Sequence, residues 1–377
     1  MIGSGLRVAL AAGGTAGHIE PALNLADALR ELDPSTRILV IGGTRGLEST
    51  LVPARGYDLV TLESAPMPRR ISMDLLRIVP RSARSVREAS ACLSHFGADA
   101  VVGFGGYAAL PTYVAARRMG VPLVIHEANA KQGLANRVGS RFTSHVYASV
   151  QGAVRGAQPM GLPLRQSLTS LDRLAVQAQA RAHFGLDEQR PTLLVFGGSQ
   201  GAAHLNEVVA DVIDAITEAG GQVLHAYGTR NAAPVERPGY AAVPYLERMD
   251  LAYAAADLAL TRAGAMTCAE MSAVGLPAVY VPLPIGNGEQ RLNALPIVRA
   301  GGGLIVSDSD LTGAWMREHA LPLLGDQESL LRMSRASASC GVRDAGERLA
   351  RAVLEVASAW RGTSKGTSRG PSRGTST

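Results

Sequence analysis

The chain has 377 residues, 46% hydrophobic and 18% charged, with a formal net charge of +5, which is more apolar chain than one core of ordinary size absorbs, so two domains are expected. Three cysteines without paired spacing, Cys92, Cys268 and Cys340, argue against a disulfide framework or a zinc site and suit a reducing cytoplasm. Lys131 and Lys365 are the only lysines, and neither the Gly-Lys of a phosphate-binding P-loop nor the Tyr-x-x-x-Lys of a short-chain dehydrogenase occurs.

In chain order, a short apolar run with only Arg7 before it is too brief for a signal peptide, and no apolar stretch reaches the roughly 18 residues of a membrane span. The chain is therefore expected to be neither secreted nor membrane-spanning. Strands are predicted at Arg7–Ala12, Arg37–Ile41, Ala100–Gly103, Leu123–His126, Thr192–Phe196, Gln222–Tyr227, Leu258–Thr261 and Ala278–Pro282. Helical patterns lie between them. In Pro21–Leu32 the residues Ala22, Leu25, Ala26 and Leu29 recur at helical spacing behind a proline suited to a first turn. Strands alternating with helices predict an α/β architecture of parallel sheets.

The pattern strand, Gly13-Gly14-Thr15-Ala16-Gly17, helix returns loosely as strand, Gly197-Gly198-Ser199-Gln200-Gly201, helix. Two similar doubly wound domains are expected rather than one long sheet, with a boundary in 159–172, where Gly161-Leu162-Pro163 makes a turn. The tail from Gly362 repeats Gly, Thr, Ser and basic residues without an apolar side chain, and reads as disordered and basic.

Glycine-rich turns from strand into helix bring backbone close to a ligand and aim N–H groups and the positive helix end at an anion. They also serve as tight turns with no ligand. Three are present: 13–17, 197–201, and Arg262-Ala263-Gly264-Ala265-Met266-Thr267 before a helix carrying Glu270. In doubly wound folds all three fall at the carboxyl ends of strands, and with two domains the expected site is the cleft they face. A dinucleotide reading fits poorly, because the first loop spells G-G-x-x-G and the second strand ends in Gly42-Gly43-Thr44 where an acidic residue for the ribose is usual. Nucleic acid is disfavoured by 4% aromatic content and no recognisable module.

Seven motifs in order, Gly13-Gly14-Thr15-Ala16-Gly17-His18, Gly103-Phe104-Gly105-Gly106-Tyr107, His126-Glu127-Ala128-Asn129, Gly133-Leu134-Ala135-Asn136-Arg137, the 197–201 loop, Arg262 to Glu270, and Glu289-Gln290-Arg291-Leu292-Asn293-Ala294, resemble those of the MurG family. These are peptidoglycan N-acetylglucosaminyltransferases acting on an undecaprenyl-pyrophosphate-linked muramyl peptide. The likeness spans roughly residues 6 to 355.

The resemblance implies a GT-B fold: residues 1–163 for acceptor binding and membrane docking, 164–360 for the UDP-sugar donor, with the last helix able to pack back on the first domain, and 361–377 as the tail. It implies transfer of N-acetylglucosamine from UDP-N-acetylglucosamine to the muramyl 4-hydroxyl with inversion, in cell-wall synthesis, without metal or other cofactor. By position it assigns Thr15, Ala16, Gly17, Asn129, Arg165, Ser199, Leu246, Ala265, Met266, Thr267, Cys268, Ala269, Glu270 and Gln290 to the donor. Gly14, Gly105, Gly106, Tyr107 and Asn136 fall to the acceptor. Glu270 is suited to the ribose hydroxyls, the N–H groups of 264–266 with Ser199 and Arg165 to the diphosphate, and Gln290 to sugar hydroxyls. His18 is either the general base that takes the hydroxyl proton or a group that ties the loop down and orients the acceptor.

Three positions depart from the family pattern: Ala16 for a glycine, Glu20 for an aromatic residue, and Glu289 for a glutamine. Between 66 and 88, six arginines including Arg69, Arg70 and Arg77 stand among apolar residues including Leu75 and Leu76, a pattern suited to an anionic membrane surface or to a solvated helix. Peripheral placement on the cytoplasmic membrane face follows from a lipid acceptor, with cell-wall and division proteins as further partners. The alternatives are a UDP-sugar 2-epimerase, a GT-B transferase with another acceptor, and a non-catalytic nucleotide-sugar-binding scaffold.

Overall fold

The computed structural model describes residues 5–44, 46–63, 75–106, 108–198, 200–284 and 287–367, with side chains described over these ranges except at 75–82 and 364–367. The chain forms two units, one of Met1–Pro163 with Asp344–Thr377 and one of Leu164–Arg343.

In the first unit β1 (Arg7–Ala12), β2 (Arg37–Gly43), β3 (Asp58–Leu62), β4 (Ala100–Gly105), β5 (Leu123–Glu127), β6 (Val146–Ala148) and β7 (Gln158–Pro159) form one parallel sheet in the order β3-β2-β1-β4-β5-β6-β7. Strand β1 feeds both faces. Val8, Leu10 and Ala12 pack with Ile19, Leu23 and Leu25 of the following helix, while Ala9 and Ala11 pack with Leu93, Tyr113 and Ala116 on the opposite face. A strand buried on both faces needs an unbroken apolar run, which Val8–Ala12 supplies. The long C-terminal helix Ala345–Thr367 sends Leu349, Ala350 and Val353 into the first of these cores. Its Arg361 is ion-paired with the buried Asp99 at the start of β4 and donates to Gly5 O. The helix continues to Thr367, past the point where the sequence loses its apolar residues, and the rest of the tail lies outside the described residues.

The second unit repeats the plan with β8 (Thr192–Phe196), β9 (Gln222–Ala226), β10 (Tyr240–Val243), β11 (Leu258–Thr261), β12 (Ala278–Tyr280) and β13 (Gly303–Ile305), all parallel, in the order β10-β9-β8-β11-β12-β13. In both sheets the chain winds outward from its first strand and then returns to that strand's other side. The turn after the first strand therefore stands at the topological switch point, where doubly wound folds bind ligands.

All eight predicted strands are present, three with the predicted bounds at both ends. The strands not foreseen, β3, β6, β7, β10 and β13, are short or partly exposed. One helix start is corrected: the helix runs Ala16–Leu32, so Pro21 lies inside it and not at its first turn. The helix begins at the glycine loop because His18 N and Ile19 N already bond to Thr15 O. Ala16 is thus helical, and the left-handed backbone of the loop falls on Gly14 at φ 91°, so the methyl at position 16 costs the loop no strain.

Candidate active site

In the first unit two strand ends meet. Gly105 closes β4 at φ 95° and Gly106 follows at φ 90°; a Cβ on Gly106 would collide with the carbonyl of Gly13. Only glycine permits both the positive φ and this approach of the two loops. The His18 ring lies against Gly105: a Cβ there would stand 3.2 Å from His18 Cδ2, 3.3 Å from Nε2 and 3.4 Å from Asn136 Nδ2. His18 Nδ1 is 3.1 Å from Thr15 Oγ1. Thr15 thus spends its hydroxyl on the imidazole and does not cap the helix that follows.

Behind Gly105 runs a buried chain of hydrogen bonds. Gly105 N donates to Tyr113 Oη (3.1 Å), which donates to Asn136 Oδ1 (2.8 Å), while Asn136 Nδ2 donates to Glu127 Oε2 (2.9 Å) and His126 O (3.2 Å). Glu127 also accepts from Asn129 N and Gly133 N at 3.0 and 3.1 Å. Buried polar groups that are all paired fix one geometry, because each lost partner costs about 1–3 kcal/mol. Asn136 and Asn129 are therefore set in place by Glu127. Burial raises the Glu127 pKa, and the bonds from Asn129, Asn136 and Gly133 oppose the rise. Close packing lowers the His18 pKa below 6.5, opposed by the Glu48 carboxylate. The imidazole is thus mainly neutral at pH 7 and able to accept a proton. His126 is fully buried in β5 with Nε2 on Gly161 O at 2.7 Å, and burial lowers its pKa to about 4.

In the second unit the 197–201 loop is held by backbone, by amides and by Arg230, whose Nη1 donates to Gln200 Oε1 at 3.2 Å. Gly198 and Gly201 have φ 92° and 75°, a Cβ on Gly201 would collide with Tyr227 O, and Asn231 Nδ2 donates to Gln200 O (3.1 Å) and Tyr227 O (2.7 Å). The helix Ala265–Val274 starts behind Gly264, and no side chain caps it. Its first-turn N–H groups at Ala265, Met266 and Thr267 carry the positive end of the helix dipole, the usual seat of an anion. One turn on, Glu270 Oε2 accepts from Tyr253 Oη at 2.7 Å. Burial raises the Tyr253 pKa, the Glu270 carboxylate adds to the rise, and the Arg165 guanidinium acts against it. Tyr253 thus carries its hydroxyl from the apolar core to the half-buried Glu270, where the Arg165 charge is also felt.

Gln290 Oε1 accepts from Ala263 N (3.1 Å) and Leu283 N (3.0 Å), so its carbonyl is spent on the backbone and the amide N–H groups are what it can offer a ligand. The side chains of Leu246 and Cys268 are buried in the core, which leaves their backbone for contact. Of the remaining predicted positions, Thr15, Ala16, Gly17 and Asn129 fall in the first unit and Ala269 in the second. Tyr107, Ser199, Arg69 and Arg70 lie outside the described residues, as do the side chains of Leu75, Leu76 and Arg77. Gly14 N is already bonded, 2.7 Å from Glu48 Oε1. Glu48, Tyr113 and Tyr253 escaped the sequence reading; they act through partners far along the chain, and no local motif marks them. Among the described residues no group of histidine, cysteine and carboxylate side chains could hold a metal ion, and no helix is long and apolar enough to cross a membrane.

The chain matches the models of the glycosyltransferase family 28 N-terminal domain over residues 8–148 and C-terminal domain over 192–349. It is 56% identical, over 94% of its length and 99% of the relative's, to a UDP-N-acetylglucosamine–N-acetylmuramyl-(pentapeptide) pyrophosphoryl-undecaprenol N-acetylglucosamine transferase of Streptomyces avermitilis. Among solved structures it is similar in fold to MurG of Acinetobacter baumannii, with a TM-score of 0.74 at 24% identity over 93% of this chain and 99% of that one. It is also similar to a UDP-GlcNAc 2-epimerase of Neisseria meningitidis solved with UDP-GlcNAc, with a TM-score of 0.66 at 13% identity over 93% and 100% of the two chains. A fold shared by transferases and an epimerase does not select the reaction, whereas identity across both units does. With both domain models matched in order and a close relative aligned along nearly its whole length, the chain belongs to glycosyltransferase family 28, in the group of the undecaprenol-linked N-acetylglucosamine transferases.

Proposed function

We propose that this chain transfers N-acetylglucosamine from UDP-N-acetylglucosamine to the 4-hydroxyl of undecaprenyl-pyrophosphoryl N-acetylmuramyl-pentapeptide, with inversion at the anomeric carbon, in peptidoglycan synthesis. The 56% identity along both units to a transferase of that name carries the reading, and the geometry supplies the roles.

In the first unit His18 Nδ1 is paired with Thr15 Oγ1; in the tautomer that carries its proton on Nδ1, the Nε2 lone pair beside Gly105 takes the proton of the attacking hydroxyl. Asn136, its amide committed to Tyr113, Glu127 and His126 O, backs Gly105 where the acceptor is placed. In the second unit Glu270 accepts the ribose hydroxyls. The uncapped first turn 265–267, with Arg165, takes the diphosphate and the negative charge that grows as the bond from the anomeric carbon to the departing oxygen breaks. Gln290 donates to the sugar through its amide N–H. The oxygen of the muramyl hydroxyl forms the new bond on the opposite face, and UDP leaves with the electron pair.

The lipid acceptor places the enzyme at the cytoplasmic face of the membrane as a peripheral protein, with 66–88 as the docking segment. Each arginine near an anionic surface contributes about 1 kcal/mol. Replacing Arg69, Arg70 and Arg77 together by Gln is expected to weaken binding to anionic liposomes by about 3 kcal/mol; unchanged co-sedimentation would remove that assignment.

The transfer itself is tested with radiolabelled UDP-N-acetylglucosamine and a muramyl-pyrophosphoryl-prenyl acceptor. Labelled disaccharide lipid formed only when acceptor is present is the expected product. UDP release without disaccharide, or conversion of the donor to its 2-epimer, would refute the proposal.

A further inference from the structure

We propose that Glu48 is a positioning residue for this reaction: its carboxylate fixes the first glycine loop, the turn that leads into the helix carrying His18, and lies buried beneath that turn. The inference rests on the reading of His18 as the base. Glu48 opens the helix Glu48–Ala54, behind the end of β2, and is completely buried. One oxygen, Oε1, takes both Gly14 N at 2.7 Å and Gly43 N at 3.0 Å, so a single atom ties the turn after β1 to the end of β2.

The side chain also fills the space that the glycines leave. A Cβ on Gly13 would stand 2.9 Å from Glu48 Oε1, one on Gly42 2.7 Å from Cγ, and one on Gly46 would collide with Oε2. Three of the glycines around this turn thus make room for one carboxylate. A buried carboxylate is costly, and here it occupies an N–H of the loop that the sequence assigns to an anion. Its position makes sense if the loop's task is to hold a base and not to bind phosphate through Gly14. The Glu48 carboxylate acts on the His18 ring, and Thr15, Gly105 and Asn136, which face it, are neutral; Glu20 on the same helix is paired with Arg55. Glu127 reaches this place only through Asn136. A fixed negative charge favours the imidazolium that forms when His18 takes the hydroxyl proton, and it offsets the effect of close packing.

The test uses the full chain with Glu48→Gln and Glu48→Asp. Glutamine keeps an oxygen for Gly14 N and Gly43 N but removes the charge. His18 followed by NMR in histidine-labelled protein is then expected to titrate on the order of half a unit to one unit lower. The acidic limb of the pH profile of kcat/KM moves to lower pH with it, because the neutral form persists further into acid. Aspartate keeps the charge but is one methylene shorter and releases the two N–H groups; kcat is expected to fall about tenfold or more while UDP affinity holds. A His18 titration unchanged in the Gln variant overturns the electrostatic part. Full kcat in the Asp variant overturns the positioning part. Should His18→Ala leave transfer intact, the base reading fails, yet the NMR titration still reports on Glu48, so the two failures are told apart.

Discussion

The turns after β1 and after β8 start from the same sheet position and nearly the same glycine pattern, yet different groups surround them. The first is crowded with side-chain chemistry: Thr15 on the His18 ring, Glu48 beneath the loop, and Gly105 with Asn136 against the imidazole. The second is secured by backbone carbonyls, the Asn231 amide and the Arg230 guanidinium on Gln200, and Glu270 stands one turn into a helix whose start no side chain caps. Proton transfer needs a side chain with a tuned pKa and a fixed tautomer, whereas holding a diphosphate needs N–H groups and a helix end. In the proposed reaction, one repeated scaffold would meet both demands by changing what fills the space around its glycines.

If labour is divided in this way, losses should separate by unit. His18→Ala is expected to lower kcat by 10² or more, the usual worth of general-base catalysis, with steady-state transfer as the assay; a fall below tenfold would make His18 a loop anchor instead. Glu270→Ala removes a charged acceptor worth about 1.5–3 kcal/mol, so UDP should bind roughly 10 to 100 times more weakly by calorimetry. Wild-type affinity there would take the ribose away from Glu270.

Acid provides a smaller comparison, because each unit holds one buried histidine lowered to about 4, His126 in β5 and His225 in β9. His225 is neutral between Tyr240 Oη (2.6 Å) and Asn206 Oδ1 (3.0 Å). Between pH 6.5 and 4 the unfolded chain binds more protons than the fold, so stability falls as pH drops through that window. At pH 5 the loss is about 2 kcal/mol for each histidine. Urea unfolding at pH 7.5 and pH 5 measures it, and His225→Gln should abolish about half; a pH-independent midpoint would contradict the burial of both rings.

The sheets were legible in the sequence wherever a strand is buried on both faces, because Val8–Ala12 and Thr192–Phe196 then need continuous apolar runs. The two-residue β7 carries no such signature, and β10, apolar throughout, is half-exposed and too short to stand out. The glycine loops and Glu270 were legible for a related reason: local backbone demands and a helix position leave local traces. Glu48 was not, since its meaning depends on Gly14 lying 34 positions away across the sheet. Neither were Tyr113 and Tyr253, which read as ordinary core aromatics until the fold brings Asn136 and Glu270 to their hydroxyls. Gln290 shows the opposite limit, for its place was readable but half of its amide is committed to the backbone of Ala263 and Leu283.

The division between the units is tested most directly by titrating UDP into His18→Ala and Glu270→Ala side by side while transfer is measured on the same samples. The account predicts that His18→Ala keeps UDP affinity within about threefold of wild type, less than 0.7 kcal/mol, while losing transfer, and that Glu270→Ala loses affinity. Equal loss of UDP affinity in the two variants would contradict it.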